Sequence, residues 1–195
     1  MKVKHLLIIS GPSAVGKTTL IDDLINKQSK ISHRLLKHTP EQLENATICN
    51  AINVEKLEHP NIDFLILHYD IYSNFKEGEG FLYLPDLFRS TESIRIITLV
   101  THHRVLVKRT KQRFVYYLFR ALIKPSPSKF KKLRLIYSKI KTYQSPTVAN
   151  AIYERWENFL SEWDVRDHQI IDTTTDSLAT TYDSTTARSV LTGVN

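Results

Sequence analysis

The sequence predicts an α/β protein of three layers, with a mainly parallel sheet of about five strands flanked by helices. Two observations carry this. Short apolar runs such as "KHLLIIS", "IDFLILHYD", "IRIITLVTH" and "HQIIDTTT" alternate with stretches of helical periodicity. The inner runs are apolar almost throughout, as parallel strands covered on both faces must be. A chain of 195 residues, 42% hydrophobic and 24% charged, suffices for one packed domain.

The elements follow in order. "KHLLIIS" is a short buried strand cut off by Gly11 and Pro12, and "GKTTLIDDLINKQ" continues as a helix with Leu20, Leu24 and Ile25 on one side. "HRLLKHT" reads as a second strand ending at Thr39, and Pro40 suits the first turn of a helix over "PEQLENATICNAINVEKLE". "IDFLILHYD" is a buried strand closed by Asp70. "KEGEGFLYLPDLFRSTES", with two glycines and Pro85, reads as loop and short helix. "IRIITLVTH" is the next strand. "HRVLVKRTKQRFVYYLFRALI" follows as a helix, interrupted by the two prolines of "KPSPSKFKK". Helices over "KFKKLRLIYSKIK" and "TVANAIYERWENFLSEW" and a last strand, "HQIIDTTT", complete a domain over residues 1–175. Residues 176–195 are a Ser/Thr-rich tail of weak patterning.

The stretch between the first strand and first helix is "GPSAVGKTT", residues Gly11, Pro12, Ser13, Ala14, Val15, Gly16, Lys17, Thr18 and Thr19. It contains G-x-x-x-x-G-K-T, the pattern of a phosphate loop, or P-loop, and strand and helix flank it as that reading requires. Glycines allow close backbone approach, successive N–H groups and a helix N-terminus face an anion, and Lys17 reaches the β- and γ-phosphates. Thr18 offers a hydroxyl to Mg²⁺. ATP, or another nucleoside triphosphate, with Mg²⁺ is the expected cofactor pair. Asp70, at the C-terminal end of a buried strand, is the expected second metal residue and a catalytic one, because ligands of open α/β sheets bind there. His68 and Tyr69 precede it and read as structural residues.

"GPSAVGKTTL" resembles the phosphate loop of guanylate kinase and related small nucleotide and metabolite kinases. "KHT" (Lys37 to Thr39) is faintly similar to the acceptor-binding stretch of guanylate kinases, although Pro40 and Glu41 stand where an arginine belongs. "LVKRTKQR" keeps a spacing similar to the family's lid-bearing helix, and "IIDTTTDS" looks like its closing strand and adenine-side loop. The resemblance implies a P-loop fold with a basic helical lid, and an ATP/Mg²⁺-dependent phosphotransferase whose acceptor is a nucleotide or another small hydroxylated molecule. GMP itself is not implied, because no guanine-reading set follows.

Charge locates the lid. Of the 27 Lys and Arg, thirteen fall between Thr101 and Thr142, and no Asp or Glu occurs from residue 94 to residue 153. The lid is expected over about 103–142. Arg109 and Arg113, at i and i+4 on one helix face, are the expected catalytic cations beside Lys17 and Asp70. Arg89 is a further candidate for holding the acceptor. The alternative is an NTPase associated with nucleic acid or another polyanion through residues 101–142, since "RFVYYLFR" interleaves aromatics with arginines. Phe114, Tyr117 and Leu118 are more simply core at their helical spacing. A third reading docks the same segment on an anionic membrane surface. A lone cysteine, Cys49, the short apolar run at the N-terminus and the lack of any ~20-residue apolar stretch imply a cytoplasmic protein with no transmembrane segment.

Overall fold

From Leu6 onward every side chain of the first strand, β1 (Lys2–Gly11), is buried. Only a strand paired on both edges and covered on both faces has that property. β1 pairs in parallel with β3 (Asn61–Asp70) on one edge and with β6 (Thr91–Val100) on the other. β2 (Thr47–Asn50) adds to β3 and β7 (His168–Asp172) to β6, both parallel. β8 (Thr180–Tyr182) closes the far edge antiparallel to β7, giving the order β2-β3-β1-β6-β7-β8. The protein is therefore α/β, with five parallel strands and helices on both faces. The computed structural model describes residues 2–26, 45–57, 61–174 and 180–182.

Alternation along the strands sorts the core into two halves. Leu7, Ile9, Ile66, Ile97, Leu99 and Ile171 point to one face, where α1 (Lys17–Asn26) lays Leu20, Ile21 and Leu24 on them. Leu6, Ile8, Leu65, Leu67, Tyr69, Ile96 and Ile170 point to the other. There α2 (Leu84–Arg89), α5 (Pro146–Glu162) and the small hairpin of β4 (Phe75–Lys76) and β5 (Gly80–Phe81) cover them. Trp156 of α5 is fully buried, stacks on Tyr69 at 5.6 Å and donates its Nε1–H to Thr98 Oγ1 at 3.0 Å. Thr98 also bonds Ser10 and His168 Nε2, each at 2.8 Å, so a satisfied polar seam crosses β1, β6 and β7 beneath the tryptophan.

Two helices stand apart from this sandwich. α3 (His103–Ile123) begins where His102 Nδ1 accepts the Arg104 N–H at 3.3 Å. It ends at Lys124–Pro125, and α4 (Pro127–Tyr143), with proline in its first turn, returns alongside it. α4 buries Leu133, Ile136, Ile140 and Tyr143, and its last turn reaches the C-terminal end of the sheet.

Three expectations need correction or placing. Residues 47–56 do not continue a helix from Pro40. Thr47–Asn50 pairs with Leu65–His68 as β2, and Ala51–Lys56 is a 3-10 helix. The free outer edge of β3 recruits a β-branched segment whose helical propensity is modest. Phe114, Tyr117 and Leu118 are not sheet core. They are half-buried along the α3–α4 hairpin, where Phe114 meets Tyr137 at 6.2 Å. The strand expected at residues 33–39, with "KHT", lies outside the described residues, and of the tail only β8 is described.

Candidate functional site

Strand order turns at β1. The chain runs to β2 and back to β3 on one side, then to β6 and β7 on the other. Loops leaving the C-terminal ends of such strands diverge, and a crevice opens between them. The 11–16 loop, Asp70 and the segment after β7 all meet at that end.

The loop's shape needs its glycines. Gly11 has φ +137°, and a Cβ there would stand 2.5 Å from the Leu99 carbonyl oxygen. Gly16 has φ +109°. Ala14, between them, holds φ 66°, a left-handed conformation that costs an alanine about 1 kcal/mol. α1 then starts at Lys17, and the N–H groups of its first turn have no partner within the helix.

Lys17 is buried, and its Nζ donates to the carbonyls of Gly11 at 2.9 Å and Pro12 at 2.7 Å. Burial lowers its pKa to about 8, against the opposing pull of Asp70 and with help from Lys139 and Arg113. The Asp70 carboxylate accepts four hydrogen bonds. Oδ1 accepts the N–H groups of Tyr72 at 3.1 Å and Ser73 at 2.9 Å, while Oδ2 accepts from Ser13 Oγ and, at 3.1 Å, from Lys139 Nζ. Burial alone would raise its pKa, but Lys17, Lys139 and the Ser13 and Ser73 hydrogen bonds hold it well below the usual carboxylate range. His68 is pushed down to about 4 by burial and the Lys17 charge, so it is neutral at pH 7.

A cavity of about 420 Å³ lies over the loop, lined by Ser13, Ala14, Gly16, Lys17, Thr18, Thr19, His68, Asp70 and Arg113. Two cations and one carboxylate line it, and Lys139 closes on Asp70 from the side. The surplus of positive charge, with free N–H groups at a helix start, suits an anion. A second cavity of about 280 Å³ adjoins the first, sharing Ser13, Ala14 and Arg113 with it and adding Ser73, Thr110, Lys132, Leu135, Ile136 and Lys139. Its lining joins cations to aliphatic side chains.

Most of the residues singled out from sequence come together here: Ser13, Ala14, Gly16, Lys17, Thr18, Thr19, Asp70 and Arg113. Gly11, Pro12 and Val15 are buried beneath the loop as its supports. Arg109 does not share Arg113's position. Its guanidinium donates to Thr173 Oγ1 at 3.2 Å and to the Thr173 carbonyl at 2.7 Å, and it lines neither cavity. Arg89 is exposed, pairs with Asp86 and lies over the Trp163 ring at 5.6 Å, also outside both cavities.

Sequence reasoning did not single out Lys139, Tyr143 or Thr173. Lys139 Nζ donates to Ser13 Oγ, to Ser73 Oγ at 2.8 Å and to Asp70. The Tyr143 hydroxyl accepts the Ser13 N–H at 3.0 Å, and its ring meets Tyr72 edge-on at 5.0 Å. Buried Thr173 bonds the carbonyls of Val15 at 2.9 Å and Val100 at 3.1 Å, tying the loop to the ends of β6 and β7. One signal was available: Lys132 and Lys139, seven apart, flank the buried stripe Leu133, Ile136, Ile140 and Tyr143, which brings both to the packed side of α4.

The chain matches no protein-family model, and no curated protein matches it significantly.

Proposed function

We propose that this protein is a small P-loop phosphotransferase that uses ATP, or another nucleoside triphosphate, with Mg²⁺. The observation that carries the reading is the convergence of the glycine loop, Lys17, Asp70 and Arg113 on one cavity at the C-terminal edge of a parallel sheet.

The residues present fit both cofactors. The 11–18 loop offers N–H groups and the Lys17 ammonium to phosphate oxygens. Thr18 and Asp70 both line the cavity, one hydroxyl and one carboxylate. Among the described residues no cluster of three or more His, Cys, Asp or Glu could hold a metal by itself. Mg²⁺ does not need one, because it is commonly held by one or two protein oxygens together with substrate phosphates. When bound, it neutralises charge on the phosphate oxygens.

The chain's own residues supply position and charge. Arg113 stands on the cavity wall, where it faces a transferred group and balances the negative charge that builds on it. Asp70 is too acidic to serve as a strong base, so its part is to fix Ser13, Lys139 and the metal side of the cavity. Phosphoryl transfer through a loose transition state asks for little more than this. The adjoining cavity, with Lys132, Lys139, Leu135 and Ile136, is the place for the acceptor, and α3 and α4 act as the basic lid over both.

The test is an ATP-consumption screen against mixed nucleotides and hydroxylated metabolites, with and without single-stranded RNA or DNA. Mg²⁺-dependent turnover that needs one acceptor class is the expected result. Failure of the protein to bind any nucleoside triphosphate in calorimetry overturns it. Hydrolysis that requires nucleic acid instead favours the NTPase alternative.

A further inference from the structure

The α3–α4 hairpin has a second half that the proposed reaction does not use. Arg109, Arg113, Lys132 and Lys139 belong to the half near the sheet. Further out, α3 exposes Tyr116 (56%), Phe119 (62%), Leu122 (66%) and Ile123 (83%). These recur every third or fourth residue, so they form one ridge along one face of the helix. Single exposed apolar residues are ordinary on a protein surface, but a continuous ridge of four marks a surface that something covers.

The ridge is framed by positive charge. The Arg120 guanidinium lies 5.6 Å over the Tyr116 ring. Lys129 Nζ donates to the carbonyls of Arg120 at 3.2 Å and Lys124 at 2.6 Å, fastening the turn between the helices. No carboxylate occurs on either helix. Charge complementarity therefore favours an occupant that is anionic as well as apolar.

We propose that the outer end of this hairpin docks on an anionic lipid surface. Phe119, Leu122 and Ile123 would enter the acyl boundary, while Arg120, Lys124 and Lys129 meet the headgroups. Two other occupants fit less well. A second copy of the chain would press one acid-free hairpin against another. Single-stranded nucleic acid would stack on Tyr116 and Phe119 but leave Leu122 and Ile123 in water, since aliphatic chains offer no stacking face. Among the described residues no helix is long and apolar enough to cross a membrane, so the contact is peripheral. Ten residues of helix, about 15 Å, separate Arg113 from Ile123, so the site near the sheet stays open while the tip is docked.

The experiment is vesicle co-sedimentation of the full chain without nucleotide, so its result does not depend on the phosphotransferase reading. Neutral phosphatidylcholine vesicles are compared with vesicles containing about 30% phosphatidylserine, the composition that tests the headgroup charge. Expected are binding to the anionic vesicles alone and weakening with added salt. A chain carrying Phe119→Ser, Leu122→Ser and Ile123→Ser should bind at least about tenfold more weakly, with an unchanged melting temperature. Arg120→Glu with Lys124→Glu should lose the preference for anionic vesicles. Absence of binding, equal binding to both vesicle types, or undiminished binding by the triple variant overturns the proposal. So does a dimer in sedimentation velocity that the triple variant abolishes, or tight single-stranded RNA binding lost in the same variant.

Discussion

Lys139 Nζ lies 3.1 Å from the Asp70 carboxylate, although 69 residues separate them in sequence. Through this pair the outlying helix α4 grips the end of β3 at the mouth of the cavity. Both side chains are largely shielded from water, so the two halves of the pair are not equivalent when removed. Lys139→Ala leaves Asp70 with Ser13, two backbone N–H groups and the nearby Lys17 charge. Its expected stability loss is small, about 1 kcal/mol, with turnover falling tenfold or more. Asp70→Asn leaves buried Lys17 beside Lys139 with no counter-charge, and should cost about 2 kcal/mol in chemical denaturation. Equal stability of the two variants would contradict this account of the pair.

Lys17 gives a pH dependence of known sign. In the free protein its pKa is lowered to about 8 by burial, so it loses its proton as pH rises past that point. An anionic ligand binds the protonated form, and affinity for ATP·Mg²⁺ should weaken above pH 8 by up to about tenfold per pH unit. Lys17→Ala should bind about 10- to 100-fold more weakly at pH 7, the value of a lost charge-assisted contact, and should show no such pH dependence. Calorimetric titrations from neutral to alkaline pH measure both effects.

Arg109 and Arg113 were expected to act as a pair, and their surroundings assign them different consequences. Arg113→Ala removes a cation from the wall shared by both cavities, and kcat should fall about 100-fold with the fold intact. Arg109→Ala removes two hydrogen bonds to Thr173, the residue that also holds the Val15 carbonyl. Its expected signature is a stability loss of about 1–2 kcal/mol with a smaller change in rate. Steady-state kinetics beside thermal melts separate the two, and a larger rate loss from Arg109→Ala would reverse the assignment.

His168 sets part of the acid stability. Burial lowers its pKa from 6.5 to about 4, so the folded chain holds it neutral while the unfolded chain protonates it between those values. Stability contributed by the neutral ring is complete above pH 6.5 and is lost progressively as pH falls toward 4. The slope should approach, at most, about 1.4 kcal/mol per pH unit for this one group. In His168→Gln the loss of stability between pH 6.5 and 4 should be shallower than in the wild type. An identical pH profile would remove His168 from the account.

The parts of this molecule legible in its sequence are those specified locally. α3 ends where its sequence says it must, because Lys124 and Pro125 stop the helix. The glycine loop and Asp70 were legible as neighbours because their positions at the ends of adjacent parallel strands bring them to one cavity. β2 was not, since four residues acquire strand geometry only by pairing with Leu65–His68, which are distant in sequence. Nor was Lys139, one of thirteen cations in its region until the hairpin folds back and places it against Ser13 and Asp70. Arg109 and Arg113 share a helix face on paper, yet Thr173 captures one and the cavity receives the other.

The central position of β1 also bears on how the chain is made. β1 leaves the ribosome before either of its neighbours, Asn61–Asp70 and Thr91–Val100, yet in the finished sheet it is enclosed between them. At about 5–20 residues per second this apolar strand waits several seconds for its first edge and longer for its second. The nascent chain therefore leaves this apolar segment unpaired meanwhile, and parallel pairing adds its own slowness. A polypeptide halted before residue 91 would hold β1 with one edge unpaired, a template for aggregation rather than a partly formed domain.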